Sequence, residues 1–216
     1  MLQGWGALIL AAGAGRRFGG YKLLADLGGA PVIRRTTEAV LAAGFGDVVV
    51  ATGAEHARID AALQGLSCRI VPTPGWEEGM AASIRTGSAA LASCRSGLFV
   101  FLGDMPLVPA HLGAQLAEIA IQAGYAARPV VKDKPGHPVC FVGEAVRDLA
   151  LLKGDQGAAF GLRQRSDIGY LPTDDIGAIL DIDSPEDLLA AERAWNSRVT
   201  SATSDSAISR GALPKP

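Results

Sequence analysis

The 216-residue sequence has few cysteines and almost no excess of either charge. Its three cysteines, Cys68, Cys94 and Cys140, lie far apart, which argues against a disulfide framework or a zinc site and favours a reducing, cytoplasmic compartment. The 20 basic and 22 acidic side chains give a formal net charge of −2, which creates no field to hold a nucleic-acid backbone. A nucleic-acid partner is therefore not expected.

Long apolar runs are also missing. Hydrophobic residues make up 49% of the chain but occur in short runs, too interrupted for a membrane protein and too frequent for a disordered one. The first run begins at Ala7 and no lysine or arginine precedes it, so we interpret it as a buried strand rather than an export signal. We expect a soluble, cytoplasmic, globular protein without a membrane partner.

Strand-like and helix-like segments alternate over the first 125 residues. Apolar runs at 7–11, 47–52 and 98–102 are each followed closely by glycine, the pattern of parallel strands buried on both faces. The other elements predicted in this part are a strand at 68–71 and helices at 31–43, 55–64, 79–93 and beyond Pro106. In the helix at 79–93, Met80 and Ile84 share the face that is expected to turn inward.

The order of elements changes after residue 125. Segments 126–131 and 137–142 flank a polar turn, which predicts an antiparallel pair of strands. The sequence Ser184-Pro185-Glu186-Asp187 has the pattern of a capping box with proline at the first helical position, so it predicts the start of the last helix. Between them we predict a helix near 143–152 and strands near 167–171 and 178–182.

Together these elements predict an α/β fold. We expect a single three-layer, Rossmann-like domain over residues 1–196, with a mostly parallel central sheet, helices on both faces and a mixed or antiparallel part after residue 125. Residues 197–216 are rich in serine and threonine and have no apolar periodicity. They are expected to form a flexible C-terminal tail without a functional role.

Basic residues are concentrated near the N-terminus, where five cations and a single acid lie among the first 35 residues. Arg16, Arg17 and Lys22 lie in or directly behind the glycine-rich loop that ends the first predicted strand. Backbone N–H groups and cationic side chains can converge there on the oxygens of a polyphosphate. The alternative is a solvated basic surface beside a tight turn.

The spacing of this loop differs from two common nucleotide-binding loops. A dinucleotide fingerprint that began at Gly13 and Gly15 would need glycine where Phe18 stands. A P-loop would need lysine directly after Gly20, but Tyr21 intervenes. Neither a dinucleotide-binding Rossmann loop nor a Walker-type ATPase loop is therefore expected.

A longer pattern includes this loop. Residues 10–22 read Leu-Ala-Ala-Gly-Ala-Gly-Arg-Arg-Phe-Gly-Gly-Tyr-Lys and follow L-A-A-G-x-G-x-R-x-G-x-x-K. Five more motifs follow in order, at 75–85, 103–106, 136–139, 154–157 and 181–187. Together they resemble the MobA-like nucleotidyltransferases of molybdenum-cofactor synthesis, most of all the cytidylyltransferases. The resemblance covers about residues 6–196, and one departure is Ala159, where the family usually has arginine, which bears on acceptor recognition.

The resemblance implies a Mg²⁺-dependent reaction in which the terminal phosphate of molybdopterin attacks the α-phosphorus of CTP and pyrophosphate leaves. A phosphate nucleophile is already ionised at neutral pH, so positioning and charge neutralisation are expected to supply most of the acceleration. The partners implied are CTP or another nucleoside triphosphate, a molybdopterin-type acceptor and a molybdoenzyme that receives the product.

The resemblance also implies roles for particular residues. The nucleotide-binding set is Leu10, Ala11, Ala12, Gly13, Gly15, Arg17, Lys22, Gly79, Ser83 and Asp104. Lys22 is the candidate cation at the α-phosphate and Arg17 the one at the departing β- and γ-phosphates. Backbone groups near Ala11 and Ala12, with the Ser83 hydroxyl, are expected to read a pyrimidine edge. Guanylyl-transferring relatives commonly have glycine in place of Ala12, whose methyl group is therefore expected to disfavour a purine.

Two acids are candidates for the metal. Asp104 follows the strand at 98–102 and Asp183 follows the strand predicted at 178–182, so both are expected at the carboxyl edge of the sheet. Mg²⁺ is commonly held by one or two carboxylates together with substrate phosphates. If the strand register differs by two, Asp181 takes the place of Asp183. In the alternative, Asp104 only caps a turn and Asp183 only tunes the last helix.

Acceptor recognition is less well defined by the motifs. His137 and Asp155 are candidates for contacting the acceptor phosphate or the pterin, and the alternative for His137 is a turn residue satisfied by backbone. Trp76 is a candidate for stacking on a pterin or for anchoring a loop. Ser83 could instead be a small residue packed between helix and sheet.

Three other functions remain open at this point. The same loop and carboxylates would serve cytidylyl or uridylyl transfer to a sugar or polyol phosphate. A glycosyltransferase would use Asp181-Ile182-Asp183 as a D-x-D motif and would release no pyrophosphate. A non-catalytic molybdenum-cofactor carrier or insertion chaperone would bind the cofactor without turnover.

Overall fold

The computed structural model describes residues 2–13, 18 and 20–209, with the backbone alone from residue 201. Within these residues the strands are β1 (Trp5–Ala11), β2 (Asp47–Thr52), β3 (Arg69–Pro72), β4 (Gly97–Leu102), β5 (Ala126–Val131), β6 (Lys134–Pro135), β7 (Val139–Phe141) and β8 (Ile168–Pro172). The α-helices of the same part are α1 (Val32–Ala42), α2 (His56–Leu63), α3 (Met80–Ala90), α4 (Gly113–Ala123), α5 (Glu144–Asp148) and α6 (Pro185–Ser209).

The strands form one mixed sheet in the order β3-β2-β1-β4-β7-β5-β6, and β8 also pairs with β5. β1 is parallel to both β2 and β4, and β2 is parallel to β3. β7 lies antiparallel between β4 and β5, and β8 runs parallel to β5. The predicted α/β fold is therefore confirmed, with its parallel half before residue 125 and its mixed half after it.

Helices cover both faces of the sheet because the side chains of the central strands alternate between two apolar clusters. In β1, Ala7 and Ile9 join the cluster that includes side chains of α1, α2 and α4. Leu8 and Leu10 join the opposite cluster, to which α3 and α5 contribute. Both faces of β1 are thus buried, as its continuous apolar sequence predicts.

The prediction of a strand at 178–182 is wrong. Residues 176–178 form a short 3₁₀ turn and the segment that follows has no regular structure. Its backbone groups make isolated hydrogen bonds instead of a ladder: Ala178 O accepts from His137 N at 2.8 Å, and Ile182 N donates to Asp104 O at 3.1 Å. Ala178 and Ile182 are fully buried, as in a strand, but their hydrogen-bond partners belong to two different segments.

The predicted capping box at the start of α6 is confirmed. Asp187 N donates to the Ser184 hydroxyl at 3.2 Å, and an oxygen of Asp187 accepts from Ser184 N at 2.8 Å. The helix continues to Ser209, past residue 196, and the domain boundary at that residue stays a prediction. None of the helices in the described ranges combines the length and the apolar composition needed to cross a membrane.

Candidate functional site

A cavity of about 700 Å³ opens at the carboxyl edge of the parallel strands, where β1 and β4 end. Nine of the predicted site residues line it: Leu10, Ala12, Gly13, Lys22, Gly79, Ser83, Asp104, Asp155 and Asp183. Ala11 is buried in β1 and does not reach the lining. Gly15 and Arg17 lie outside the described residues. The structure therefore brings most of the predicted set to one place.

Lys22 lies between the two predicted metal ligands. Its ammonium nitrogen is 2.6 Å from an oxygen of Asp104 and 2.6 Å from an oxygen of Asp183. Lys22 and Asp104 are largely buried, with side chains 14% and 18% exposed, whereas Asp183 is 48% exposed. Both acids and the lysine are thus assembled at one point although Lys22 and Asp183 are 161 residues apart.

Local structure explains how each of these side chains reaches the point. Lys22 begins a 3₁₀ turn, Lys22–Leu24, which is anchored by the buried Leu23. Asp104 follows β4 by two residues, and the intervening Gly103 N donates to Leu10 O at 2.9 Å, which extends the pairing with β1. Asp183 is held just before α6 because its backbone N donates to Asp187 at 3.1 Å.

The electrostatics of this group favour a charged lysine. Burial lowers the pKa of Lys22, but the charges and hydrogen bonds of Asp104 and Asp183 outweigh it, so the pKa is raised. The pKa of Asp181, which also lines the cavity, is raised by burial and by the neighbouring Asp104 and Asp183. Lys22 is therefore an ammonium ion at neutral pH and offsets the negative charge of its neighbours.

The donor set fits a hard divalent cation. The second oxygen of Asp104, Oδ1, is buried and has no hydrogen-bond partner in the described part of the chain. No three histidine, cysteine, aspartate or glutamate side chains of the described residues cluster closely enough to hold a metal. A cation here would take one or two carboxylates from the protein and its other ligands from substrate and water, as Mg²⁺ commonly does.

The start of α3 and the residues just after β1 also line the cavity. Ser83 is only 2% exposed, and its hydroxyl has no hydrogen-bond partner among the described residues. Trp76 is half-buried and packs so close to Ala12 and Gly53 that a Cβ on Gly53 would lie 2.6 Å from Ala12 O and 2.8 Å from the indole. A buried hydroxyl without a partner and an aromatic ring in the same cavity suit a planar, polar ligand.

The loop that carries Asp155 packs against the start of α3. Ala81 N donates to Gly154 O at 3.0 Å, and a Cβ on Gly79 would lie 2.5 Å from the Gly154 carbonyl carbon. Gly79 also has a φ of +120°, a conformation that favours glycine. Glycine at this position therefore allows the close approach that brings Asp155 to the cavity.

Some lining residues had no functional role in the sequence prediction. The expectation that Met80 turns inward is wrong: its side chain is 43% exposed and lines the cavity, because it lies at the first turn of α3. Phe18 and Glu77 line it as well. Phe18 lies in the motif at 10–22, and Glu77 and Met80 lie in the motif at 75–85. Membership of these motifs is the only feature of the sequence that could have indicated a place at the site.

His137 is not among the residues that line this cavity. Burial, together with the charge of Arg128, lowers the pKa of His137 to about 4. Its ring Nδ1 is buried without a hydrogen-bond partner in the parts of the chain described. The ring is therefore neutral at neutral pH, and its contact with an acceptor stays a prediction.

Comparison with known proteins identifies the family. The sequence model of one protein family, described as the MobA-like NTP transferase domain, matches residues 7–168 of this chain. The nicotine blue oxidoreductase of Paenarthrobacter nicotinovorans is 30% identical over 169 residues, which cover 73% of this chain and 81% of that protein.

Solved structures agree with the fold. Rv0371c from Mycobacterium tuberculosis H37Rv has a TM-score of 0.74 at 27% identity, over 89% of this chain and 100% of that one. A manganese complex of the same protein has a TM-score of 0.71 at 24% identity, over 88% and 98%. The molybdopterin-guanine dinucleotide biosynthesis protein A of Archaeoglobus fulgidus shares the fold, with a TM-score of 0.65 at 21% identity over 89% and 99%. The predicted resemblance is confirmed at the level of the family: the chain belongs to the MobA-like NTP transferases and is a nucleotidyltransferase by family.

Proposed function

We propose that this protein transfers CMP from CTP to the terminal phosphate of a molybdopterin-type acceptor and releases pyrophosphate, with Mg²⁺ as the cofactor. The observation that carries the proposal is the position of Lys22, whose ammonium lies 2.6 Å from both Asp104 and Asp183 at the wall of a cavity of about 700 Å³. One cation and two carboxylates, in a cavity that Gly13 also lines, are groups that a triphosphate and its metal need.

The chemistry is an in-line displacement at phosphorus. An oxygen of the acceptor phosphate forms a bond to the α-phosphorus of CTP, while the bond from that phosphorus to the bridging oxygen of the β-phosphate breaks. The nucleophile is already an anion, so the site needs no general base. Lys22 is a preformed positive charge for the α-phosphate, and Arg17 is the proposed second cation for the pyrophosphate that leaves.

Asp104 and Asp183 are the proposed ligands of the metal. When bound, Mg²⁺ would neutralise part of the triphosphate charge and withdraw electrons from the α-phosphorus. The chain itself contributes the orientation of the two carboxylates. The solved manganese complex of Rv0371c, a structural neighbour, supports the proposal of a divalent cation.

Base selection is assigned to Ala12 and Ser83. The Ser83 hydroxyl, which has no hydrogen-bond partner among the described residues, can donate to or accept from the edge of a pyrimidine. Such a bond would remove the free-energy cost of a buried polar group without a partner. Ala12 lines the same cavity, and its methyl group is the proposed steric barrier to a larger purine. CTP with Mg²⁺ is therefore expected to stabilise the protein more than GTP at the same concentration, and equal shifts would contradict this assignment.

A pyrophosphate-release assay tests the proposal. CTP, GTP, ATP and UTP are each supplied with Mg²⁺, with and without molybdopterin, to wild type, Lys22→Ala and Asp104→Ala. We expect release with CTP and molybdopterin and a loss of about 10²–10³-fold in each variant, since each removes charge stabilisation from the transition state. The control is Lys134→Ala, an exposed lysine on β6, which should retain full activity.

The alternatives give different results in the same assay. Release with a sugar or polyol phosphate in place of molybdopterin would change the acceptor but keep the site. A glycosyltransferase would release no pyrophosphate, and neither would a redox enzyme of the kind named in the Paenarthrobacter relative. Release with no pair of substrates, combined with cofactor binding that Asp104→Ala leaves intact, would favour a non-catalytic carrier.

A further inference from the structure

The last helix packs against the two segments that carry Lys22 and Asp183. An apolar cluster joins them, and its buried members are Leu27, Val32, Ile182 and Ala191. Leu27 lies shortly after the Lys22 turn, Ile182 directly precedes Asp183, and Ala191 belongs to α6. α6 therefore packs against the segments that carry Lys22 and Asp183. It does so although it lies beyond residues 7–168, which the family model matches.

Arg198 extends these contacts of α6 to the segment that carries Asp104. From the second half of α6, its guanidinium donates to Leu107 O at 3.0 Å and to a carboxylate oxygen of Asp175 at 2.5 Å. Leu107 belongs to the segment that begins with Asp104. Asp175 begins the 3₁₀ turn 176–178 and accepts a hydrogen bond from Gly177 N at 2.9 Å.

The two segments that Arg198 joins are those that carry the carboxylates. Ile182 N donates to Asp104 O at 3.1 Å, so the segment before Asp183 is already bonded to Asp104 itself. Gly177 packs so tightly against the other segment that a Cβ there would lie 1.9 Å from Leu107 O and 2.8 Å from the Arg198 guanidinium. The hydrogen bonds of Arg198 thus form a second link between these two segments, in addition to the bond from Ile182 N to Asp104 O.

We propose that Arg198 is a positioning residue that sets the distance between the carboxylates of Asp104 and Asp183, and thereby the affinity of the site for a divalent cation. This inference rests on the metal role proposed above for those two acids. Groups that hydrogen-bond directly to the ligands of a metal commonly change its affinity 10–100-fold when they are replaced. Arg198 bonds to the segments that carry the ligands rather than to the ligands themselves, so an effect at the lower end of this range is expected.

Arginine suits this role better than lysine. Its planar fork presents donors in two directions, which here reach a carbonyl oxygen and a carboxylate in different segments. Lysine would offer a single ammonium group to both. The Arg198 and Asp175 side chains are 42% and 22% exposed, so their ion pair adds little to the stability of the fold. A positioning role therefore predicts a change in metal affinity with little change in melting temperature.

The test is direct binding of Mn²⁺, detected by electron paramagnetic resonance in the full chain with CTP and without acceptor. The variants are Arg198→Gln, Arg198→Lys, Asp104→Asn and the control Arg193→Gln, which removes the same charge from an exposed position of the same helix. We expect Arg198→Gln to weaken Mn²⁺ binding about tenfold, Arg198→Lys to weaken it less, and Arg193→Gln to leave it within about twofold of wild type. Asp104→Asn should abolish it.

The outcomes separate this inference from the proposed function. Wild-type affinity in Arg198→Gln, with binding lost in Asp104→Asn, would overturn the positioning role and leave the metal site intact. A lower melting temperature with unchanged affinity would do the same and assign Arg198 to stability alone. Binding that Asp104→Asn does not affect, or no binding in wild type, would overturn the proposed metal ligands and this inference with them.

Discussion

Replacing Lys22 with methionine removes the positive charge between the two acids and keeps a side chain of similar length. Asp104 and Asp183 would then lack the ammonium group that lies 2.6 Å from an oxygen of each. Asp104 would be affected more, because it is largely buried and its Oδ1 already has no hydrogen-bond partner in the described residues. We therefore expect the metal-free variant to be less stable than wild type.

The size of the effect follows from the exposure of the pair. Removing one partner of a fully buried ion pair costs about 3–5 kcal/mol. Asp183 is 48% exposed and screened by water, so we expect a smaller loss of about 2 kcal/mol. For a chain of this size 1 kcal/mol corresponds to about 2–4 °C, so the Tm should fall by about 4–8 °C.

A divalent cation should restore much of this loss. In the variant the carboxylates have no competing ammonium, so Mg²⁺ can bind them in the absence of nucleotide. At ten times its Kd, a ligand stabilises the folded state by about 1.4 kcal/mol, which corresponds to about 3–6 °C here. Wild type, in which Lys22 occupies the space between the acids, should respond less.

Calorimetry of wild type, Lys22→Met and the control Lys134→Met, in a chelator and in a series of Mg²⁺ concentrations, measures both effects. Lys134 is exposed on β6, and its replacement should change neither the Tm nor the response to Mg²⁺. A Lys22→Met variant as stable as wild type in chelator would show that the carboxylates do not depend on the lysine. A response to Mg²⁺ no larger than that of wild type would refute their role as cation ligands.

Three further predictions concern other parts of the site and its surroundings. Because the pKa of His137 is lowered to about 4, the folded state keeps the ring neutral while the unfolded chain takes up a proton near pH 6.5. Wild type should therefore lose up to about 3 kcal/mol as the pH falls from about 6.5 towards 4, and chemical denaturation of His137→Gln should lack this slope. Gly79→Ala, whose Cβ would lie 2.5 Å from the Gly154 carbonyl carbon, should displace the loop of Asp155 and lower kcat/KM at least about tenfold. The control is Gly65→Ala, at a glycine that also has a positive φ, +82°, but has open space around its Cβ position. We expect this control to keep wild-type kcat/KM, and a loss equal to that of Gly79→Ala would contradict the role given to the clash. Ser83→Ala should weaken CTP binding about tenfold in calorimetry with little effect on GTP, and equal losses would contradict base reading.

The parts of the fold that the sequence predicts are those whose pattern is local. The runs at 7–11, 47–52 and 98–102 are apolar on both faces, so burial in a parallel sheet follows from their composition, and the structure places them in β1, β2 and β4. The capping box of α6 was also predictable, because its hydrogen bonds join residues within one turn. In both cases the physical cause lies within about ten residues of sequence.

The predictions that are wrong depend on distant partners. The run at 178–182 has the composition of a strand, but its hydrogen bonds go to Asp104 and His137, and no local pattern indicates which segments it meets. Met80 has the helical spacing of a buried residue, yet it begins α3, lines the cavity and is 43% exposed. Helical periodicity identifies the apolar face of a helix, but it does not show which residues of that face are covered by the rest of the protein and which are exposed at a cavity.

The central arrangement of the site shows the same division. Sheet topology predicts that Asp104 and Asp183 meet at one edge, since ligands collect at the carboxyl ends of parallel strands. Asp183 nevertheless reaches that edge without the strand that was predicted to bring it, because Ile182 bonds to Asp104 O and packs into the cluster under α6. Leu27, five residues after Lys22, packs into the same cluster, while the Lys22 turn itself is anchored by Leu23 in the larger cluster with α1 and α2. The site is therefore assembled by the packing of α6 as much as by the motifs, and for this reason a substitution in the helix should be felt at the carboxylates.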